Sequence, residues 1–115
     1  MEKTMRKELE ELGVDVDKGI KAHMGNEAMF LRILKIVISD EKFDELFEKT
    51  DSTDAAPIFE LSHSLKGTVG NVGLSEIDRL ITEICETTRR DSLEEVEWKI
   101  VTIKKMREQI LNVIG

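Results

Sequence analysis

Apolar residues recur every three or four positions along most of this chain, which is the spacing of residues on one face of an α-helix. The pattern is clearest near the carboxyl end, at Leu93, Val96, Ile100, Ile103 and Ile110. The 115 residues include a single proline, and leucine, isoleucine, glutamate and lysine are abundant, a composition that favours long helices over strands. The sequence therefore predicts an all-α fold.

The first part of the chain predicts short helices followed by a longer helical segment. Apolar residues at helical spacing precede Gly13, so a short first helix is expected to cover one end of a bundle. Asn26 is a candidate N-cap for a segment that continues to Phe47. This segment is either one bent helix or two helices in series, because Ser39 and Asp40 interrupt its apolar stripe.

The rest of the chain predicts three long helices with short connections. Asp54 is a candidate N-cap of the first. Ser75 with Asp78, and Ser92 with Glu95, resemble capping boxes at the starts of the other two. Short connections between long amphipathic helices favour antiparallel neighbours. We therefore expect an antiparallel four-helix bundle with a short accessory N-terminal helix.

Size and charge limit the organisation of the chain and its partners. A length of 115 residues fits one domain, with an expected bundle core at residues 26–114 and accessory helices at 1–25. The formal net charge of −7 repels phosphate backbones and anionic lipids, so neither nucleic acid nor a membrane is an expected partner. The sequence has no apolar run of transmembrane length and no apolar signal-peptide core, so we expect a cytoplasmic protein.

The most distinctive segment runs from residue 63 to residue 73 and reads H-S-L-K-G-T-V-G-N-V-G. At about 100° per residue, one stripe of its helix combines an imidazole, an ammonium, an aromatic ring and two glycines. These outward residues are Phe59, His63, Lys66, Gly67 and Gly70. The opposite stripe is apolar and is expected to hold the helix in the core, through Ile58, Leu61, Leu65 and Val69. Glycine within a helix lowers stability by about 0.5–1 kcal/mol relative to alanine, so a glycine beside an exposed histidine indicates a role other than stability.

The run H-S-L-K-G that begins at His63, followed by Gly73, resembles the signature of histidine-containing phosphotransfer (HPt) domains, and the order of helices is similar over residues 14–114. The resemblance implies a monomeric bundle in which His63 exchanges a phosphoryl group with an aspartate of a response-regulator receiver domain. It implies that Lys66 is the electrostatic partner of the histidine and that Gly67 lets the receiver approach. It also implies that Gly73 turns the chain out of the helix.

The residues around His63 also fit the chemistry of phosphoryl transfer. Histidine side chains are largely neutral near pH 7, so one ring nitrogen keeps a lone pair for attack on phosphorus. Lys66, one helical turn away, can bring an ammonium to the phosphoryl oxygens. Phe59, Gly67 and Gly70 are expected to contribute to the surface on which the partner docks.

The sequence lacks the motifs with which a protein activates ATP by itself. It has no G-x-x-x-x-G-K-[ST] loop and no acidic motif for Mg²⁺, so no cofactor is expected, and magnesium is expected only in the partner receiver domain. The two histidines and one cysteine form no ligand-spaced cluster, so no metal site is expected. The missing ATP motif favours a phosphoryl carrier rather than an enzyme, and the HPt resemblance implies that its partners are receiver domains and a sensor histidine kinase.

Two other functions remain open from the sequence. The chain could be the phosphoacceptor domain of a chemotaxis-type histidine kinase, whose His-Ser-x-Lys-Gly core is similar and whose donor would be an ATP-binding domain. It could also be a helical adaptor that binds a receiver-like partner without chemistry. The identity of the phosphoryl donor distinguishes the kinase domain from a phosphorelay carrier. Labelling of His63 distinguishes the carrier from the adaptor, which would acquire no phosphoryl group.

Overall fold

The computed structural model describes all 115 residues and contains helices without any strand. The seven α-helices are α1 (Lys3–Glu11), α2 (Val16–Ala22), α3 (Glu27–Ile38), α4 (Glu41–Phe47), α5 (Ala55–Val69), α6 (Ser75–Arg89) and α7 (Val96–Ile114). A 3₁₀ turn over Gly70–Val72 follows α5 directly. The predicted all-α class is therefore confirmed.

Two of the predicted N-caps are confirmed. The side chain of Asn26 accepts a hydrogen bond from the backbone N–H of Met29 at 2.9 Å and begins α3. The side chain of Asp54 accepts one from the N–H of Ala56 at 3.1 Å and begins α5. The segment after Asn26 forms two helices in series, because Asp40 caps a new helix by accepting a hydrogen bond from the N–H of Lys42.

Both predicted capping boxes are wrong. The Ser75 hydroxyl lies 3.4 Å from the carbonyl of Gly73, in the turn before α6, and the N-cap position is taken by Leu74 without a side-chain cap. The Ser92 hydroxyl accepts a hydrogen bond from the N–H of Glu94, and α7 begins only after Glu95, whose φ is +61°. In each case the turn before the helix sets the backbone path and directs the serine to a group outside the helix.

The core is built from aliphatic and aromatic side chains to which all seven helices contribute. Helices α5 and α6 form an antiparallel hairpin and pack most extensively against each other. Helix α5 also contacts α3 and α4, whereas α7 packs against α1, α3, α4 and α6. The largest completely enclosed side chains include Phe30, Leu34, Phe43, Leu65 and Ile81. This packing fixes α5 along its buried face and leaves its other face to solvent.

The N-terminal helices are integrated into the core, which differs from the accessory role expected from the sequence. Leu9 of α1 is completely buried, and Val14 and Val16 are nearly so. The backbone N–H of Asp15 also donates a 2.7 Å hydrogen bond to the carbonyl of Gly73. The physical reason is that α1 and α2 close the end of the core at which α5 turns into α6. They therefore lie against the segment that ends the distinctive motif.

Candidate functional site

His63 lies on the exposed face of α5, in the middle of the helix. The preceding residue, Ser62, is buried, and its hydroxyl donates a 3.1 Å hydrogen bond to the carbonyl of Phe59 one turn earlier. Leu65, three residues further on the same face, is completely buried in the core. The local helix therefore anchors the residues on both sides of His63 and directs the imidazole to solvent.

Lys66 is exposed one helical turn after His63. None of the eight ion pairs in the protein includes Lys66. Its ammonium therefore carries no carboxylate partner within the chain and can bind an added anion without breaking an existing pair. An ammonium on a flexible stem suits the oxygens of a group bound to the neighbouring imidazole.

The two glycines on the exposed face differ in their surroundings. A Cβ at Gly67 would have no atom within 4 Å outside its own helix, so this position opens directly to solvent. A Cβ at Gly70 would lie 3.2 Å from Oδ2 of Asp78 on α6. Gly70 is therefore restricted by packing at the start of the 3₁₀ turn, whereas no contact within the protein requires glycine at position 67.

Phe59 lies between the imidazole and a second cation. Its ring centroid is 5.5 Å from that of His63, and the two planes are tilted by 32°. The guanidinium carbon of Arg89, at the end of α6, lies 5.1 Å from the Phe59 ring centroid. Phe59 is half-buried rather than fully outward, because the imidazole and the guanidinium cover parts of the ring.

The sequence pattern did not indicate Arg89, which the structure places beside the candidate site. Like Lys66, it belongs to no ion pair in the protein. The only available signal was the register of an antiparallel α5–α6 hairpin. Gly70, directly after α5, faces Asp78 of α6. Because the helices are antiparallel, counting the same number of residues back along α5 and forward along α6 brings Phe59 opposite Arg89, as the structure shows.

Gly73 has a structural role at the end of the motif. It is buried and adopts a left-handed conformation with φ of +75°, and a Cβ there would collide with the carbonyl oxygen of Asp15. A side chain at this position would be strained by its backbone angle and excluded by the chain entering α2. Gly73 therefore allows both the exit from α5 and the close contact with the N-terminal segment.

The remaining histidine and cysteine lie apart from this face. Nδ1 of His23 is 2.8 Å from the carbonyl oxygen of Gly19, one turn earlier in α2. Cys85 is buried within α6. The structure contains no group of three or more His, Cys, Asp or Glu side chains placed to hold a metal ion.

Comparison with known proteins identifies one family. A family model described as "Hpt domain" matches residues 3–113. No curated protein and no solved structure shows a significant match. None of the helices combines the length and the apolar character that crossing a membrane would require.

Proposed function

Because the chain belongs to the Hpt domain family, we propose that it is the phosphoryl carrier of a two-component phosphorelay, in which His63 exchanges a phosphoryl group with aspartates of response-regulator receiver domains. The observation that supports this role most strongly is an exposed imidazole flanked by an unpaired ammonium and an open glycine. A receiver domain and a sensor histidine kinase are the proposed partners.

The proposed reaction transfers phosphorus between nitrogen and oxygen. A lone pair on a ring nitrogen of His63 attacks the phosphorus of an aspartyl phosphate, the N–P bond forms as the P–O bond breaks, and the aspartate leaves as a carboxylate. The reverse sequence returns the phosphoryl group to a second receiver. Such transfers depend mainly on positioning and on stabilising the charge of the equatorial oxygens.

The chain contributes cations and access to this reaction. Lys66 follows His63 by one helical turn, so its flexible side chain can bring an ammonium to the phosphoryl oxygens. Arg89, over the Phe59 ring, is the proposed second positive charge. Gly67 leaves the space through which the aspartate reaches the imidazole. We propose that Mg²⁺ and the acidic groups that hold it belong to the receiver domain. On this proposal the chain is a carrier, and its partner provides most of the catalysis.

We also infer that the helices around this site form an antiparallel four-helix bundle, in which α3 and α4 together make one arm and α5, α6 and α7 make the other three. The pairing of α5 with α6 supports this arrangement, as does Lys35 of α3, which donates a hydrogen bond to the carbonyl of Gly115 while Arg107 reaches Ile38. A monomeric state and a cytoplasmic location remain predictions from the sequence.

The direct test is phosphoryl transfer from a radiolabelled, phosphorylated receiver domain. We expect the wild-type protein to acquire a label that is labile in acid and stable in base, as a phosphoramidate bond is, and we expect His63→Gln to acquire none. His23→Gln is the matched control, because it removes the only other imidazole, and it should be labelled normally. Labelling of His63→Gln would exclude His63 as the acceptor.

The same assay separates the alternatives. Labelling by an ATP-supplied kinase domain but by no receiver would instead indicate the phosphoacceptor domain of a chemotaxis-type histidine kinase. Equal receiver binding by wild type and His63→Ala, with no label on either, would indicate a non-catalytic adaptor. The proposed relay role requires transfer in both directions between His63 and a receiver.

A further inference from the structure

The start of α7 presents two large apolar side chains to solvent. Trp98 is 48% exposed and Val101 is 53% exposed, and their spacing places both on one face of the helix. Together with the half-buried side chains of Leu93 and Thr102 they line a groove of about 580 Å³. No residue of α5 lines this groove, so it is separate from the face that carries His63.

The residue before α7 has an unusual backbone conformation, and its side chain holds the tryptophan by a hydrogen bond. Glu95 adopts a left-handed conformation with φ of +61° at the N-cap of α7, and its side chain does not cap the helix. The Glu95 carboxylate instead accepts a hydrogen bond from the indole N–H of Trp98. A left-handed non-glycine residue is energetically unfavourable, and the missing cap leaves the first N–H groups of the helix without a side-chain acceptor. The hydrogen bond to Glu95 fixes the edge of the indole beside the start of α7, and Trp98 stays 48% exposed.

The charged side chains that line the groove are all acidic. Glu95 and Glu97 line it, and no lysine or arginine does. The ammonium of Lys99, which pairs with Glu83 on α6 at 3.2 Å, lies 5.5 Å from the Trp98 ring centroid. Lys99 is thus within cation–π distance of the indole, whereas Glu95 and Glu97 belong to no ion pair.

We propose that this Trp98 groove binds a short peptide segment of a partner protein, in which an apolar side chain is flanked by lysine or arginine. The apolar side chain would pack against Trp98 and Val101, and the flanking cations would meet Glu95 and Glu97. Exposed apolar surface is confined to two side chains here, whereas a stable protein pair buries about 800 Å² on each partner. The groove therefore suits a short segment better than a second copy of this chain.

Intrinsic fluorescence provides the test, because Trp98 is the only tryptophan in the chain. The full-length protein is titrated with a synthetic amphipathic peptide of leucine and lysine and, separately, with the peptide in which every lysine is replaced by glutamate. We expect the first to give a saturable blue shift and the second to give none. Labelling of His63 by a phosphorylated receiver should be unchanged by the bound peptide.

Charge variants decide whether the groove itself is responsible. Glu95→Gln combined with Glu97→Gln should weaken binding of the lysine peptide by about tenfold, because each lost charge pair contributes about 0.7 kcal/mol. Glu8→Gln combined with Glu11→Gln makes the same change of net charge on α1 and should leave the affinity within about twofold. The Glu95→Gln substitution keeps a carbonyl acceptor for the indole N–H, and far-ultraviolet circular dichroism checks the fold.

Three results would overturn the proposal. The first is the absence of a saturable shift with the lysine peptide. The second is equal weakening by the groove variants and the α1 variants, which would indicate a diffuse effect of net charge. The third is a shift that depends on protein concentration without peptide, accompanied by a doubled mass in sedimentation, which would assign the groove to a homodimer.

Discussion

Glycine at position 67 is not required by the fold, because a Cβ there would meet no atom within 4 Å. Within an α-helix, glycine is less stable than alanine or glutamine. The protein therefore keeps a destabilising residue at a place where a partner would approach His63. Two substitutions of different size can test whether this position affects the stability of the fold and the approach of a partner in opposite directions.

We expect Gly67→Ala and Gly67→Gln each to increase the free energy of unfolding by about 0.5–1 kcal/mol, because both residues are better helix formers. The rate of phosphoryl transfer from a receiver should fall in the order Gly, Ala, Gln, with glutamine at least about tenfold slower, which corresponds to a barrier higher by about 1.4 kcal/mol. Urea unfolding and single-turnover transfer measure the two quantities. An undiminished rate in Gly67→Gln would contradict the steric argument.

Arg89 and Arg90 form a natural pair for testing the second cation. Both are exposed at the end of α6, but only Arg89 lies over the Phe59 ring. We expect Arg89→Met to slow transfer by about threefold to tenfold through loss of about 0.7–1.4 kcal/mol of charge stabilisation. Arg89→Lys should retain most of the rate, and Arg90→Met should retain all of it. Equal effects at the two positions would show that Arg89 acts only through net charge.

The difference between His63 and Arg89 shows what the sequence could predict of the site. The common face of His63, Lys66 and Gly67 follows from the period of one helix, which is a local property. The contact between Arg89 and Phe59 depends on the register between two helices, and that register is set by core packing around Leu65 and its neighbours. Periodicity contains no information on that register until one contact between the helices is known.

At the level of the elements, the sequence predicted the N-caps whose side chain accepts a hydrogen bond from a backbone N–H of the helix that follows. Asn26 and Asp54 cap α3 and α5 because an extended residue before the helix leaves the side chain beside free N–H groups. Ser75 follows the left-handed Gly73, and Ser92 precedes the left-handed Glu95, so the backbone of each turn directs the hydroxyl elsewhere. Turn geometry imposed by tertiary contacts is the part that the sequence pattern could not supply.

Helix α1 provides a test of integration into the core. Leu9 is completely enclosed, whereas Leu12, the C-cap residue just after the helix, is half-buried. We expect Leu9→Ala to reduce the free energy of unfolding by about 2–5 kcal/mol and Leu12→Ala to reduce it clearly less. Urea unfolding monitored by circular dichroism measures both. A loss below about 1 kcal/mol for Leu9→Ala would restore the accessory role predicted from the sequence.

At the scale of the whole molecule, one side chain joins three helices. Arg107 of α7 donates a 3.0 Å hydrogen bond from Nε to the carbonyl of Ile38, the last residue of α3. Its Nη1 lies 2.5 Å from the Asp44 carboxylate of α4, and its guanidinium carbon lies 5.6 Å from the Phe47 ring centroid. Arg107 therefore connects both sides of the α3–α4 break to the final helix.

The charge of Arg107 also makes the fold sensitive to acid. Its hydrogen bond to Asp44 holds the pKa of that carboxyl below the usual value of 3.8. In the same direction, the hydrogen bond from Lys99 lowers the pKa of Glu83. A carboxyl with a lowered pKa in the folded state stabilises the fold above its ordinary pKa, and this contribution disappears as the pH falls through the lowered value.

Substitution of Asp44 isolates one of these contributions. We expect Asp44→Asn to lower the free energy of unfolding at pH 7 by less than about 1 kcal/mol, because the carboxyl is largely exposed and solvent screens the pair. The difference from wild type should shrink as the pH falls below about 4 and vanish once the wild-type carboxyl is protonated. Asp51→Asn is the control, since Asp51 is exposed, belongs to no ion pair and gives the same change in net charge. The control also corrects for the general repulsion within a chain of net charge −7. If the free energies of unfolding of the two variants still differ in acid, Asp44 acts through packing rather than through its ion pair with Arg107.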